Sequence, residues 1–417
     1  MIKIIYLFIT VIANRVLFTR RSNPERLSGL RHLVKSTRLA MTAISMLSLF
    51  LCACSGFFDK DNTPPPSPLI NFKPGATVTQ SYHVKTNSGV GSDYLKLGAA
   101  VTETLVYTAD KKGDVTASNK LTGKKLWEVN IGVQISAGPA ANDQIIVVGS
   151  RHGDVVALNP QDGSIRWQTK ASSEILARPT IQNNIVLIKA IDGNLSAFDG
   201  NDGHALWHYQ QTEPSLILRS SSSIQSQDDI LIAGFANGNL TKLTLQNGSL
   251  QWQTSIAHPQ GSFAIERMID IDADPIISGQ TVFAATYQGH IASLDLLTGR
   301  EHWSHDLSSY TGMTADRQNI YVTDARSDVW AFDRENGAVR WRQDELSARN
   351  TTGPVSMGRF IVVGDAEGYL HWLNKDDGRM IARTRVDTSG ILATPVIDNR
   401  ILYVVTTNGH LATYTIR

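Results

Sequence analysis

From residue 79 onward, apolar and polar residues alternate in short runs broken by Gly, Asn, Asp and Thr. In one run Leu195, Ala197 and Asp199 fall on one side and Ser196 and Phe198 on the other. That alternation predicts a β-strand. Runs rich in β-branched residues precede such strands: Ile145–Val148, Ile185–Ile188, Phe360–Val363 and Ile401–Val405. Short segments before these often begin with proline, at Pro139, Pro179, Pro275, Pro354 and Pro395. Proline donates no ladder hydrogen bond, so these segments are expected at a free edge. The pattern predicts units of four strands.

The units repeat. Gly193–Trp207 is nearly copied by Gly153–Trp167, and Gly113, Gly238, Gly289 and Gly368 open further copies, with Ser327 opening one. Ten positions after each opening stands a second glycine: Gly123, Gly163, Gly203, Gly248, Gly299, Gly337 and Gly378. Four residues later six copies carry a tryptophan (Trp127, Trp167, Trp207, Trp252, Trp303, Trp341), and the seventh carries Ala382. An eighth opening, Gly409–Tyr414, runs to the last residues. Each glycine is expected in a hairpin, and each Trp on an outer strand packing against the next unit. A four-stranded sheet cannot bury both its faces alone, and radial stacking does so. The fold class predicted is all-β: an eight-bladed β-propeller of four-stranded antiparallel blades. The last unit lacks an outer strand, and Thr79–Lys85 is a spare one. This N-terminal strand is expected to close the ring and hide the open edge.

Composition changes this picture little. The roughly 340 residues of the repeat region fit eight units of roughly 40–45 residues. Lys and Arg number 39 against 38 Asp and Glu, so no charge excess points to nucleic acid. The two cysteines, Cys52 and Cys54, precede the repeats, so neither a disulfide nor a Cys-based metal site is expected in the propeller. The eleven histidines show no ligand spacing, and no metal or cofactor is expected.

Residues 1–53 read as a leader rather than as fold. Lys35 and Arg38 precede an apolar run, Leu39–Ala53, of about 15 residues, short of the roughly 20 that span a bilayer. The run ends Leu51-Cys-Ala-Cys54-Ser55, which resembles a bacterial lipoprotein signal over about 34–53. The resemblance implies cleavage before Cys54, lipidation of Cys54, and outer-membrane sorting because Ser55 rather than Asp follows. Residues 1–33 are superfluous to such a signal, which places the expected translation start near Leu33 or Val34. The proline-rich stretch at 54–78 is expected as an extended tether, and 79–417 as the propeller.

The repeat itself, as in Ala117–Trp127 and Ala197–Trp207, resembles the tryptophan-docking motif of the quinoprotein propellers. Gly364–Asn374 with Asp377-Gly-Arg379 resembles the penultimate blade of the BamB family, lipoproteins of the outer-membrane β-barrel assembly (BAM) machinery. That resemblance covers essentially everything after Cys54. It implies a non-enzymatic scaffold on the periplasmic face of the outer membrane. The implied partners are the periplasmic POTRA domains of BamA and other BAM members, with unfolded outer-membrane proteins as clients. The alternative is a quinone (PQQ)-dependent dehydrogenase. The chain lacks the adjacent cysteines and the insertions that build that pocket, and its acids, such as Asp162, Asp202 and Asp377, sit mostly where turns favour Asp.

Repeat lengths point to a site independently. Successive second glycines are 40, 40, 45, 51, 38 and 41 residues apart. Both long intervals add residues between a Trp strand and the next inner strand, so the insertions are expected side by side on one face, often the binding face of a repeat fold. The first, Gln211–Ser220, sets Leu216 and Leu218 beside Arg219, the composition of an interface patch. The second, His258–Asp274, carries Asp270 and Asp272. The resemblance implies that Leu216, Leu218, Arg219, Asp270 and Asp272 bind BamA; as rim carboxylates the two acids are expected to contribute less, mostly through association rate. Two other readings stay open. The leucines could pin the loop to its own blade with Arg219 paired to Asp270, or Asp270, Asp272 and Asp274 could hold calcium.

Overall fold

The computed structural model describes residues 63–417, and residues 65–417 form one compact unit. The expected leader, Cys54 and the start of the tether lie outside the described residues. Among the described residues thirty-two strands form eight four-stranded antiparallel sheets. Among the described residues the one helix is a single 3-10 turn, Ala264–Arg267, and no helix is long and apolar enough to cross a membrane. Blades 1 to 7 follow in chain order, each running from an inner to an outer strand. Blade 3, for example, is Thr180–Gln182, Ile185–Lys189, Asn194–Asp199 and Ala205–Gln210. Pro179, Pro275, Pro354 and Pro395 stand immediately before inner strands, at the edge facing the central axis, while Pro139 lies within its strand Ile135–Ala141, where the register shifts.

The second and third strands of each blade carry the core. Val186, Leu187, Leu195 and Ala197 are fully buried, and the same alternation recurs in each blade. The core therefore lies in layers between blades, because each sheet covers its neighbour's face. The tryptophans lock these layers. Trp167 donates its indole N–H to the Gly200 carbonyl of the next blade at 2.9 Å. Its ring lies where a Cβ on Gly203 would stand 2.5 Å away. Gly203 also has φ +76°, so turn geometry and ring docking both require glycine there. Trp127, Trp207, Trp252, Trp303 and Trp341 repeat the contact.

Ring closure follows the expectation. Val78–Lys85 pairs antiparallel with the last strand, His410–Ile416, as the outer strand of blade 8. Tyr82 on this strand stands in for a tryptophan: its hydroxyl donates to the Lys120 carbonyl at 3.1 Å and its ring covers Gly123 of blade 1. The departure at Ala382 has a reason here. Blade 8 takes its outer strand from the N-terminal side, so it has no third-to-fourth hairpin on which a blade 7 tryptophan could dock. The large ring moves instead to the facing position, Trp372, which pairs with Ala382 across the strands and meets Tyr414 edge-on at 6.2 Å.

Part of the expected tether is docked. Ser67 N–H donates to the Ser347 carbonyl and Ser67 accepts from Arg349, both in the connection from blade 6 to blade 7, while Arg383 donates to the Ile70 carbonyl at 2.8 Å and Gly75 N–H to the Ile381 carbonyl at 2.9 Å. Residues 70–75 thus run along the outer strand of blade 7 before the closing strand begins.

Candidate functional site

Strands alternate in direction, so all outer-to-inner connections share a face with the hairpins that carry the first glycines. Gln211 N–H donates to the Gly193 carbonyl and Ile256 N–H to the Gly238 carbonyl, both on this face. The two long connections are joined to each other there, as their lengths predicted. Asp270 accepts the Leu218 N–H at 2.8 Å, Asp274 accepts the Ser223 N–H at 2.6 Å, and the Ser222 hydroxyl donates to the Ile271 carbonyl at 2.7 Å. Below, the buried Lys189 ammonium donates to Ser222 Oγ at 3.0 Å and to the Gly234 carbonyl at 2.6 Å. Glu213 accepts the Ala236 and Asn237 N–H groups. The loop carrying Leu216–Arg219 is therefore held by its own N–H groups donating to Asp270 and Asp274 and by its Glu213 accepting from the Ala236–Asn237 turn.

Its outer side is open. Leu216 is 43% exposed, Leu218 is half-buried, and the Arg219 side chain is 62% exposed. Arg219 pairs with Glu174 at 2.6 Å, not with Asp270. Glu174 also meets Arg151 at 4.0 Å, and Arg151 meets Asp93 at 3.1 Å. Beside this charged row lies a pocket of about 580 Å³, lined by Leu218, Arg219, Arg151, Tyr94, Tyr287 and Tyr310 among others. Tyr287 and Tyr310 meet edge-on at 6.0 Å. Sequence reasoning missed these tyrosines, which come from three separate segments. It also missed Phe263 and Ile265 on the second insertion, which are 69% and 61% exposed. Two large apolar residues in a polar loop were a usable signal.

The two acids need correction. Asp270 is 1% exposed and Asp272 5%, so neither is a rim carboxylate. Burial follows from their work: Asp270 reaches up to the Leu218 N–H, and Asp272 lines the axial cavity with Lys96, Arg178 and Asp274. The calcium reading is not supported by this arrangement, because Asp270 and Asp274 cap separate backbone N–H groups. Among the described residues these three acids do not converge as a ligand group. The axial cavity is about 160 Å³, against the roughly 300–1,000 Å³ usual for sites that enclose a cofactor-sized molecule.

Burial pushes the Asp270 carboxyl up to about 6, opposed by the Leu218 N–H bond. Burial and the Asp270 charge push Asp272 up to about 7, against the pull of Lys96 and Lys189. Both values stand above the ordinary carboxylate range. The stability of the protonated forms is therefore complete below about pH 4 and is lost as pH rises through about 7. Asn imitates the protonated acid. Asp272→Asn is expected to melt like the parent near about pH 3.5 and to be more stable by on the order of 1 kcal/mol or more near about pH 7.5. Melts that differ equally at both values would contradict this.

A family model described as outer membrane protein assembly factor BamB matches residues 111–343 and 340–417. A protein of that description from Alkalilimnicola ehrlichii is 47% identical over 380 residues, covering 91% of this chain and 97% of its own. Another from Legionella pneumophila is 43% identical, with 88% and 98% covered. The crystal structure of BamB from Moraxella catarrhalis superposes with a TM-score of 0.75 at 26% identity, covering 81% of this chain and all of that one. The quinohemoprotein alcohol dehydrogenase of Comamonas testosteroni, at TM-score 0.65, 13% identity and coverage of 81% and 76%, shares the fold alone. Model and relatives together account for nearly all of the repeat region, and the chain belongs to the family of the outer membrane protein assembly factor BamB.

Proposed function

We propose that this protein is a non-enzymatic scaffold, tethered through lipidated Cys54 to the periplasmic face of the outer membrane. It binds the periplasmic POTRA domains of BamA and so assists the folding and insertion of β-barrel proteins. Its relatives carry the name of an outer membrane protein assembly factor, which supports the process. One observation carries the choice of surface: an exposed leucine and arginine stand on a loop that the buried Asp270 and the exposed Asp274 already hold in shape. A loop fixed before contact loses little conformational entropy on binding, so more of its contact energy appears as affinity. In this reading Leu216, Leu218 and Arg219 touch the partner. Asp270 acts from beneath, positioning the loop through the Leu218 N–H, and Asp272 stands behind it in the axial cavity.

Crosslinking tests the location. A photo-crosslinking residue at Leu216 is expected to form an adduct with BamA when intact cells are irradiated. The same residue at Leu297, 77% exposed on a hairpin of the opposite face, is expected to form none. An adduct from Leu297 and none from Leu216 would place the contact on the other side.

A further inference from the structure

We propose that His83, Asp387 and His410 form a transition-metal site that fastens the closing strand to the rest of the ring. The three come from separate segments. His83 lies on the closing strand and His410 begins the last strand of the chain. Asp387 lies in the connection that leaves blade 7 after Met380–Arg385. The fold brings one ligand atom of each within 4.8 Å of the others. His410 Nδ1 stands 2.7 Å from Asp387 Oδ2, and the two imidazole rings meet edge-on with centroids 4.8 Å apart.

The carboxylate is already aimed. Its Oδ1 accepts the Ser389 N–H at 2.6 Å and the Ser389 hydroxyl at 2.7 Å, and its Oδ2 accepts the Thr406 hydroxyl at 2.9 Å. Support of this kind from an outer layer of donors is how metal-binding carboxylates are held. Two imidazole nitrogens and one carboxylate oxygen suit Zn²⁺, with Cu²⁺ and Ni²⁺ as competitors, and leave a coordination position for water. They do not suit Ca²⁺ or Mg²⁺, which prefer all-oxygen shells. His83 is exposed and His410 and Asp387 are half-buried, so an ion reaches the site from solvent.

The other three-residue cluster, Asp199, Asp202 and His204, is different. It sits within one hairpin, where Asp202 and Asp199 already cap local backbone N–H groups. Turn chemistry accounts for it. At the seam, residues more than 300 positions apart converge, and a bound ion would bridge the one joint in the ring that chain connectivity does not secure.

The test uses the mature protein in detergent, stripped with EDTA, dialysed, and titrated with zinc chloride by calorimetry. One equivalent is expected at micromolar affinity or tighter, with a rise in melting temperature that EDTA reverses. Cobalt chloride should give the visible bands of a tetrahedral site. His83→Ala changes an exposed side chain, so the ring should still fold, and zinc affinity should fall by about tenfold or more. Ser389→Ala should weaken binding less, and His204→Ala should leave it unchanged. No binding at micromolar zinc, or one equivalent that survives His83→Ala unchanged, would overturn the site and leave a hydrogen-bonded seam only.

Discussion

Deleting Val78–Lys85 is expected to destroy cooperative folding of the propeller. The segment is a full strand of blade 8, paired from Val78–Ile416 to Lys85–His410. Its Tyr82 and Val84 pack on a buried cluster of Ala99, Val106, Tyr403 and Leu411 drawn from blades 1 and 8. Removal strips the blade 8 to blade 1 interface of its aromatic lock and bares the edge of His410–Ile416. Whole domains are stable by only about 5–15 kcal/mol. Seven paired residues and a lost interface consume most of that, and an open edge invites strand pairing between molecules. Circular dichroism on heating is expected to show no cooperative transition, or one far below the parent, with aggregation. Tyr82→Ala should fall between, losing about 2 kcal/mol or more. A deletion that melts like the parent would mean the ring closes without this strand.

The repeat was legible because each blade is built locally. Hairpin glycines, alternating strands and the outer Trp fall at fixed spacing, and every blade is made the same way. What the spacing could not say is which residue the tryptophan meets, since Trp167 docks on Gly203 of another repeat. For the same reason the spacing gave no account of Ala382. It marks the missing dock beside the closing strand, a property of the ring and not of its own repeat. The docked part of the tether left no pattern, because Arg349 and Arg383 hold it by backbone carbonyls, which any residue offers.

At the candidate site, loop lengths announced the face and composition announced Leu216 and Arg219. Burial of Asp270 and Asp272 was not readable. An Asp-x-Asp run fits equally a wet rim or a set of caps under a neighbouring loop. Only the meeting of two insertions, with the Leu218 N–H aimed at Asp270, decides it. Glu174, the partner of Arg219, lies 45 positions away in another blade. His83, Asp387 and His410 likewise share no spacing, and only ring closure brings them together.

Arg219 is where the proposed function meets its strongest test. Its guanidinium is mostly in solvent, so its pair with Glu174 contributes little to folding. Reversing the charge should therefore shift stability by less than about 1 kcal/mol. In an interface the same group lines a pocket with Tyr94, Tyr287 and Tyr310, the setting in which arginine acts as an anchor. Arg219→Glu should then cost on the order of 2 kcal/mol or more in binding, about thirtyfold. Adding Leu216→Ala should weaken binding further. Asp162→Lys, on an exposed hairpin of the opposite face, should change nothing. The deciding measurement is the dissociation constant of Arg219→Glu for the purified periplasmic domains of BamA, beside its melting curve. The account predicts a parent-like melt with affinity about thirtyfold weaker. A folded variant that binds as tightly as the parent would contradict it.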